Sequence, residues 1–279
     1  MKKVVIIGSG SLATHLALTL HANGVLISQI YSRTSTNAEI LADKVGCSYT
    51  SNISNLFSNA DIYIYAINDN SLLKLLKKFE LPNAIHIHTS GSLSISIFDG
   101  FAKKYGVLYP LQTFSKKRAV DFTNVPILIE ACNSEIESDI YNFSKLISPK
   151  IYSITSEQRS KIHLAAVFAC NFTNYMYDIA FDIVSKSGIG FEILHPLILE
   201  TADKIKTLTP KDAQTGPAVR YDQNIIKKHL SLLNRSNDKK EIYKLLSKSI
   251  NDRHSIKKDV KLSLWKRLSN KIDSFFSSI

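Results

Sequence analysis

Short apolar runs, rich in β-branched residues, alternate with helical patterns through the first half of the chain. Eight of these runs have the length of buried strands, and the segments between several of them repeat apolar residues every three to four positions. The predicted strands are residues 3–7, 25–31, 47–50, 61–67, 84–90, 106–111, 126–131 and 150–154. Such alternation is typical of a largely parallel sheet covered on both faces. We therefore predict a doubly wound, mostly parallel α/β domain.

The pattern changes near Thr155, where helical periodicity takes over. Thr155 and Gln158 have the spacing of a capping box, and a long helical run follows over residues 157–187. Further helices are predicted over residues 191–207, 222–234, 238–251 and 257–276. We place a domain boundary here, between an α/β domain of residues 1–153 and an all-helical domain of residues 154–279.

A glycine-rich loop joins the first predicted strand to the first predicted helix. Gly8 permits the turn, Gly10 lets the backbone approach a pyrophosphate, and Ala13 allows close packing, as in the G-x-G-x-x-A dinucleotide motif. The helix N-terminus adds free N–H groups and the positive end of a dipole. The predicted phosphate-binding residues are Gly8, Ser9, Gly10, Ser11, Leu12 and Ala13. The alternative is a plain tight turn, which the position of the loop at the start of a β-α-β unit disfavours.

The end of the second predicted strand distinguishes between the two nicotinamide dinucleotides. NAD sites usually carry an acidic residue there to bind the ribose 2′-hydroxyl, whereas this chain has Ser32, Arg33 and Thr34. Arg33 can pair with a 2′-phosphate, and the two hydroxyl groups add donors. We therefore predict NADP(H) as the cofactor; the alternative is that Arg33 is only a solvated loop residue.

Three more loops follow predicted strands, and ligands of open α/β sheets bind at the carboxyl ends of the strands. The candidates are the cofactor-contacting Ala66, Ile67 and Asn68, the catalytic Ser90, and the substrate-binding Gly91, Gln112 and Thr113. Each loop would otherwise be an ordinary polar turn between a strand and a helix.

The long helix carries polar residues on one face. At 100° per residue, His163, Asn171 and Asn174 lie within about 80° of one another, and such a face is costly to bury unpaired. A cleft explains these residues better than a core. His163 can hold or release a proton near neutral pH, so we predict it as the proton donor, with Asn171 orienting the substrate and Asn174 contacting it. A core histidine with a satisfied hydrogen bond is the alternative.

Two other groups of polar residues have competing interpretations. Arg220 follows a Gly-Pro break and could bind a substrate carboxylate or phosphate, or else pair with Asp222 at the start of the next helix. His86 and His88 lie two residues apart on one strand, with no carboxylate or cysteine ligand nearby in sequence. We predict no metal site there.

Composition and charge narrow the classes of protein. The net charge is +11, of which +8 falls in residues 154–279, yet no nucleic-acid-binding motif accompanies the basic residues. The chain has no run of 18 apolar residues and no signal-peptide pattern, and its three scattered cysteines fit a reducing compartment. We therefore expect a cytoplasmic protein without nucleic-acid or membrane partners.

The last residues of the chain also repeat apolar positions. The repeat comprises Val260, Leu264, Leu268 and Ile272, at a spacing of four. We expect this amphipathic helix to cover the helical domain or a second subunit; a membrane surface is the less favoured alternative.

Seven segments together resemble one family of proteins. They are GSGSLA, YSRT, AINDN, HTSGSLS, YPLQTFS, HLAAVFACNFTNYMYDIA and TGPAVRYD. Over almost its whole length the chain resembles the bacterial two-domain Rossmann-like proteins with a helical C-terminal domain of unknown function, relatives of pyrroline-5-carboxylate reductase, ketopantoate reductase and the β-hydroxyacid dehydrogenases. The resemblance implies a Rossmann-like domain, an all-α domain of the 6-phosphogluconate dehydrogenase C-terminal-like type, NADP(H) as cofactor and a homodimer formed through the helical domains.

One departure from these relatives affects the expected reaction. The β-hydroxyacid dehydrogenases carry Lys-x-x-x-Asn on this helix, whereas here Val167 stands four residues before Asn171 and Cys170 four before Asn174. An ordinary 3-hydroxyacid dehydrogenase is therefore disfavoured. We expect an NADP(H)-dependent oxidoreductase that reduces a carbonyl or an imine in a small, anionic metabolite bound between the domains near His163. A non-catalytic NADP(H)-binding sensor or assembly protein is the alternative.

Overall fold

The computed structural model describes residues 2–78, 80, 82–233 and 236–255, so the predicted helix over 257–276 lies outside the described residues. The chain forms two compact units, Met1–Asn174 and Tyr175–Ile279. This division falls inside the long helical run because the first turns of that run contact the sheet. The boundary expected at residues 153–154 stays a prediction. In the described ranges no helix is long and apolar enough to cross a membrane.

The first unit is built on one eight-stranded sheet, in the order β3-β2-β1-β4-β5-β6-β7-β8. The strands are β1 Lys3–Ile7, β2 Leu26–Tyr31, β3 Ser48–Thr50, β4 Ile62–Tyr65, β5 Ile85–His88, β6 Lys104–Pro110, β7 Ile127–Ala131 and β8 Ile151–Ser153. Every neighbouring pair is parallel except β6 and β7. The predicted mostly parallel, Rossmann-like sheet is confirmed.

Helices cover both faces of the sheet, because strand residues point alternately to either side. They are α1 Ser11–Ala22, α2 Ser35–Val45, α3 Asp69–Leu76 and α4 Ser134–Ser144. Val4 and Ile6 of β1 belong to one core with residues of α1, α2 and α4. Val5 and Ile7 belong to a second core, on the side of α3. Strands β1, β4 and β5 are thus buried on both faces, as their continuous apolar runs predict, whereas the edge strands β3 and β8 are largely exposed or half-buried.

A helical region follows the sheet, as predicted, but its first helix is not uniform. Its α-helices are α5 Ser156–Ala166, α6 Thr173–Ser185, α7 His195–Lys204, α8 Pro217–Arg220, α9 Gln223–Leu232 and α10 over residues 237–255. The capping box of Thr155 and Gln158 is present. A π-helical segment, Val167–Phe172, separates α5 from α6, and the Thr173 hydroxyl donates to the Phe168 carbonyl at 3.1 Å. The single regular helix expected here is therefore wrong in detail, since periodicity does not reveal a π turn.

The described part of the second unit buries little apolar surface. Among its described residues, Ile226 is the one large hydrophobic residue that is buried. Many others are exposed, including Leu197 at 63%, Leu199 at 65% and Leu245 at 66%. Exposed apolar surface of this extent is typical of interaction sites.

Candidate functional site

The glycine loop lies between β1 and α1, at the middle of the sheet. Gly8 has a φ of +129°, its N–H donates to the Tyr31 carbonyl at 2.8 Å, and an added methyl group would overlap the Ala66 carbonyl. Gly10 differs, because a methyl group added there would meet no atom within 4 Å. Gly8 is therefore required by the fold, whereas Gly10 leaves open space at the start of α1.

A cleft of about 830 Å³ opens beside this loop. It is lined by nine of the predicted cofactor-binding residues: Gly8, Ser9, Gly10, Ser32, Arg33, Thr34, Ala66, Ile67 and Asn68. Ser11, Leu12 and Ala13 are not in this lining; Ala13 is fully buried in the core, in agreement with its predicted packing role. The Ser9 hydroxyl donates to the Ser32 hydroxyl at 2.7 Å and so ties the glycine loop to the end of β2.

The charge of the cleft is suited to an anionic ligand. Arg33, Lys74, Lys78 and Lys116 line it, and its described lining contains no Asp or Glu. NADP(H) carries a pyrophosphate and a 2′-phosphate, so four cations and an open helix N-terminus fit it. The three lysines were not predicted; the available signal was the i, i+4 spacing of Lys74, on α3, and Lys78, two residues after α3 ends.

Lys116 reaches the cleft from a turn that is far away in sequence. The Ser115 carbonyl lies 2.8 Å from His15 Nε2 on α1, and the Arg118 N–H donates back to the same carbonyl at 3.2 Å. These contacts hold the turn against the helix that begins at the glycine loop. No local sequence pattern indicates this pairing.

Asn68 also has a structural task. Its side-chain oxygen accepts a hydrogen bond from the Ser71 N–H at 2.9 Å and so caps α3. This oxygen therefore stabilises the start of α3, and the predicted contact of Asn68 with the cofactor stays a prediction.

A second cluster of polar residues lies where β5 and β6 end. The Tyr109 hydroxyl is 2.9 Å from His163 Nδ1, and the two rings meet edge to face with centroids 5.8 Å apart. A methyl group added at Gly91 would lie 2.6 Å from His163 Nδ1 and 2.9 Å from Tyr109 Cζ. The structure thus brings together predicted residues Gly91 and His163. Tyr109 was not predicted, although it begins the YPLQTFS segment.

Ser90, predicted as catalytic, is engaged in the loop after β5. Its hydroxyl accepts from the N–H groups of Ser92 and Leu93, both at 3.1 Å, and its own N–H donates to His88 Nδ1 at 3.2 Å. Burial lowers the pKa of His88 to about 3, so its imidazole stays neutral and able to accept. These bonds give Ser90 a structural role, and its part in catalysis stays a prediction.

His86, two residues before His88, is also committed to the fold. Its Nδ1 lies 2.9 Å from the Tyr65 hydroxyl, and its Nε2 lies 2.8 Å from the Pro82 carbonyl. Burial lowers its pKa, which favours the neutral form. Both ring nitrogens therefore already have hydrogen-bond partners.

A buried ion pair fastens α5 to the sheet and to this loop. Arg159 is completely buried and pairs with Glu130 of β7, while its other terminal nitrogen donates to the Leu93 carbonyl. Glu130 also accepts from the N–H and the hydroxyl of Ser156, at 2.9 and 2.7 Å. Since His163 lies one turn beyond Arg159 on the same face of α5, the pair sets where that imidazole lies.

The remaining candidates are Asn171, Asn174, Gln112, Thr113 and Arg220. His163 is half-buried, whereas Asn171 and Asn174 are exposed, and both lie in or beyond the π-helical segment, where 100° per residue does not apply. Gln112 is exposed and accepts from the Thr113 N–H at 2.8 Å. Arg220 ends α8 in the second unit, and Asp222 caps α9 as the structural alternative proposed. Substrate contacts of these residues stay predictions.

Two family models match different parts of the chain. Residues 125–250 match the family described as a domain of unknown function (DUF2520). Residues 1–94 match the shikimate/quinate 5-dehydrogenase family. No curated protein matches the chain.

Several solved structures are similar over most of the chain. A Bacteroides fragilis protein, provisionally described as an NADP oxidoreductase, is 42% identical, with 90% of this chain and 98% of that one covered and a TM-score of 0.87. A reductive aminase from Aspergillus terreus, in complex with NADPH and ethyl levulinate, is 14% identical, covering 92% and 94%, with a TM-score of 0.71. An imine reductase from Myxococcus stipitatus, in complex with NADP+, is 14% identical, covering 91% and 94%, with a TM-score of 0.64. The last two share the fold with this chain.

Proposed function

The chain belongs to the family of two-domain proteins in which a Rossmann-like domain precedes the DUF2520 domain, and from that premise we propose that it is an NADP(H)-dependent oxidoreductase that reduces a carbonyl or an imine in a small, anionic metabolite. The observation that carries the proposal is the common edge of the sheet. There the cationic nucleotide cleft, beyond β1 and β4, lies beside His163, Tyr109 and Gly91, beyond β5 and β6.

The cofactor is NADP(H), and the chain's own residues indicate how it is held. The open space at Gly10 and the N-terminus of α1 receive the pyrophosphate, with Lys116 nearby. Arg33, beside Ser32 and Thr34 at the end of β2, receives the 2′-phosphate. An acidic side chain would repel the 2′-phosphate and so favour NADH over NADPH. The described lining contains none.

His163 supplies the proton in this proposal. When bound, NADPH provides a hydride for the electrophilic carbon of the substrate. A carbonyl oxygen then needs a proton, and His163 can donate one from the ring nitrogen that does not face Tyr109. A protonated imine already carries the charge that the hydride neutralises, so it depends less on such a donor. Since no lysine occupies the Lys-x-x-x-Asn position, imines are the favoured class.

An enzyme and a non-catalytic NADP(H)-binding protein differ in one measurable property, which is turnover. We suggest following NADPH consumption by the full chain with small carbonyl and cyclic imine compounds, each in carboxylate-bearing and neutral forms. Steady consumption that requires a carboxylate supports an anionic substrate, for which Gly91, Gln112, Thr113, Asn174 and Arg220 are the proposed contacts. Tight NADPH binding without any consumption would favour the sensor or assembly protein.

Replacement of Arg33 by alanine should separate the two cofactors. The loss of a charge-assisted contact should weaken NADPH binding by about 1–3 kcal/mol, whereas NADH, which lacks the 2′-phosphate, should bind as before. Calorimetric titration of both cofactors measures this, and Lys117→Ala, in an exposed lysine outside the cleft lining, is the control. Equal losses for both cofactors would remove Arg33 from the 2′-phosphate site.

We further propose a cytoplasmic homodimer in which the helical region supplies most of the interface. The support is the apolar surface of that region, with Leu197 and Leu199 of α7 among the most exposed. Light scattering of the intact chain should give twice the chain mass, and Leu199→Glu should give monomers. Leu73→Glu, at an exposed leucine on the sheet unit, is the control. A monomeric intact chain would contradict the dimer.

A further inference from the structure

Tyr109 and His163 form a hydrogen-bonded pair in which the position of each ring is fixed by its neighbours. Tyr109 lies on β6, where it pairs with Leu128 of β7, so the sheet sets its position. His163 lies on α5, one turn after the Arg159–Glu130 ion pair that anchors the helix. The imidazole is also confined by Gly91, where any added side chain would overlap the ring in its present position. The ring is therefore held by a hydrogen bond, by ring packing and by the backbone.

We propose that Tyr109 is a positioning residue for His163, one that occupies Nδ1 and leaves Nε2 as the nitrogen that meets the substrate. The inference rests on the proposed reduction, because it assigns the atom that delivers the proton. The Tyr109 hydroxyl lies 2.9 Å from Nδ1, which is hydrogen-bond distance. The second ring nitrogen, Nε2, is then the one left to face a ligand.

A phenol hydroxyl can form a hydrogen bond with the imidazole in both of its protonation states. In the imidazolium, Nδ1–H donates to the Tyr109 oxygen and Nε2–H points toward the substrate. As the hydride forms the new C–H bond, the C=O π electrons take the Nε2 proton to form the O–H bond. The neutral ring keeps its Nδ1–H on Tyr109 and regains the Nε2 proton from water. The substrate is reduced, the nicotinamide is oxidised, and Tyr109 is unchanged.

The surroundings of Tyr109 keep its hydroxyl protonated, as this role requires. Burial raises the pKa of Tyr109, although the nearby Arg159 cation opposes that change. The hydroxyl therefore stays protonated across the neutral range and can both donate and accept. A phenylalanine would keep the ring packing and lose both abilities.

The test is Tyr109→Phe in the full chain, with Tyr105→Phe as the matched control. Tyr105 lies on the same strand, but its hydroxyl donates to Asp99 at 2.5 Å, away from His163. With 15N-labelled histidine, the His163 resonances are identified by their loss in His163→Gln. We expect Tyr109→Phe to move the Nδ1 resonance and to lower kcat for a carbonyl substrate about tenfold, the scale of one lost hydrogen bond, at unchanged NADPH affinity. Tyr105→Phe should change neither.

Two outcomes overturn the inference, and they differ from failure of the proposed function. An unmoved Nδ1 resonance in Tyr109→Phe would mean that the hydrogen bond is not formed, and an unchanged kcat would mean that it does not position the proton. Gly91→Ala is the second variant, since its methyl group should displace the same ring and also move the Nδ1 resonance. A wild-type chain that turns over no substrate overturns the proposed function, even where the resonance moves.

Discussion

Gly10→Val should abolish NADPH binding while the protein stays folded. The valine side chain would enter open space, because no atom lies within 4 Å of a methyl group built at this position. Gly10 has a φ of −71° and a ψ of −177°, an extended conformation that valine adopts readily. The fold should therefore tolerate the change, whereas a pyrophosphate at the start of α1 would meet the branched side chain. Calorimetric titration with NADPH and thermal unfolding measure the two effects.

A short series at the two glycines makes this prediction specific. Gly10→Ala should keep the fold and weaken NADPH binding less than Gly10→Val. Gly8→Ala should instead destabilise the protein, since Gly8 has a positive φ and its methyl group would overlap the Ala66 carbonyl. Wild-type NADPH affinity in Gly10→Val would contradict the phosphate site, and an unfolded Gly10→Val would assign Gly10 to the fold.

His163→Gln should lower the turnover of a carbonyl substrate about 100-fold without changing NADPH affinity. Glutamine is close in size and keeps hydrogen-bonding capacity, but it cannot transfer a proton near neutral pH, and lost acid–base assistance is worth about 10²-fold or more. Steady-state kinetics on a carbonyl substrate that the NADPH screen identifies give this ratio, and calorimetry measures the affinity for NADPH. His21→Gln, at an exposed histidine near the end of α1, is the matched control.

The carbonyl and imine classes should respond differently to His163→Gln. A carbonyl oxygen needs the proton in the transition state, so its reduction should carry the full loss. A preformed iminium does not, so its reduction should lose less. A near-normal rate for both classes, or a variant that does not fold, would give His163 a structural role only.

The parts of the fold that follow local rules were predictable. The central strands of the sheet appear as apolar runs, and the β1–α1 glycine motif has a spacing that follows from the shape of a pyrophosphate. Arg33 was identifiable because it stands where NAD sites carry an acid. The capping box at Thr155 marked the start of α5. These features depend on residues that are near one another in the chain.

The parts of the site that depend on distant contacts were not predictable in the same way. Tyr109 meets His163 across 54 positions of sequence, and Arg159 meets the Leu93 carbonyl across 66. Lys116 reaches the cleft only because its turn is held on α1. The spacing of residues in the sequence does not indicate such long-range contacts. An exposed lysine in a loop is usually only a solvated charge. The π-helical segment was not predicted for another reason, which is that its amino-acid composition is that of an ordinary α-helix.

A crystal structure of the full chain with NADPH tests the central proposal most directly. We predict the pyrophosphate at Gly10, the 2′-phosphate at Arg33, and the nicotinamide C4 facing a space beside Gly91 into which His163 Nε2 points, with Nδ1 on Tyr109. A nicotinamide ring directed away from His163, or a C4 covered by protein with no room for a substrate, would contradict a reductase whose proton comes from His163.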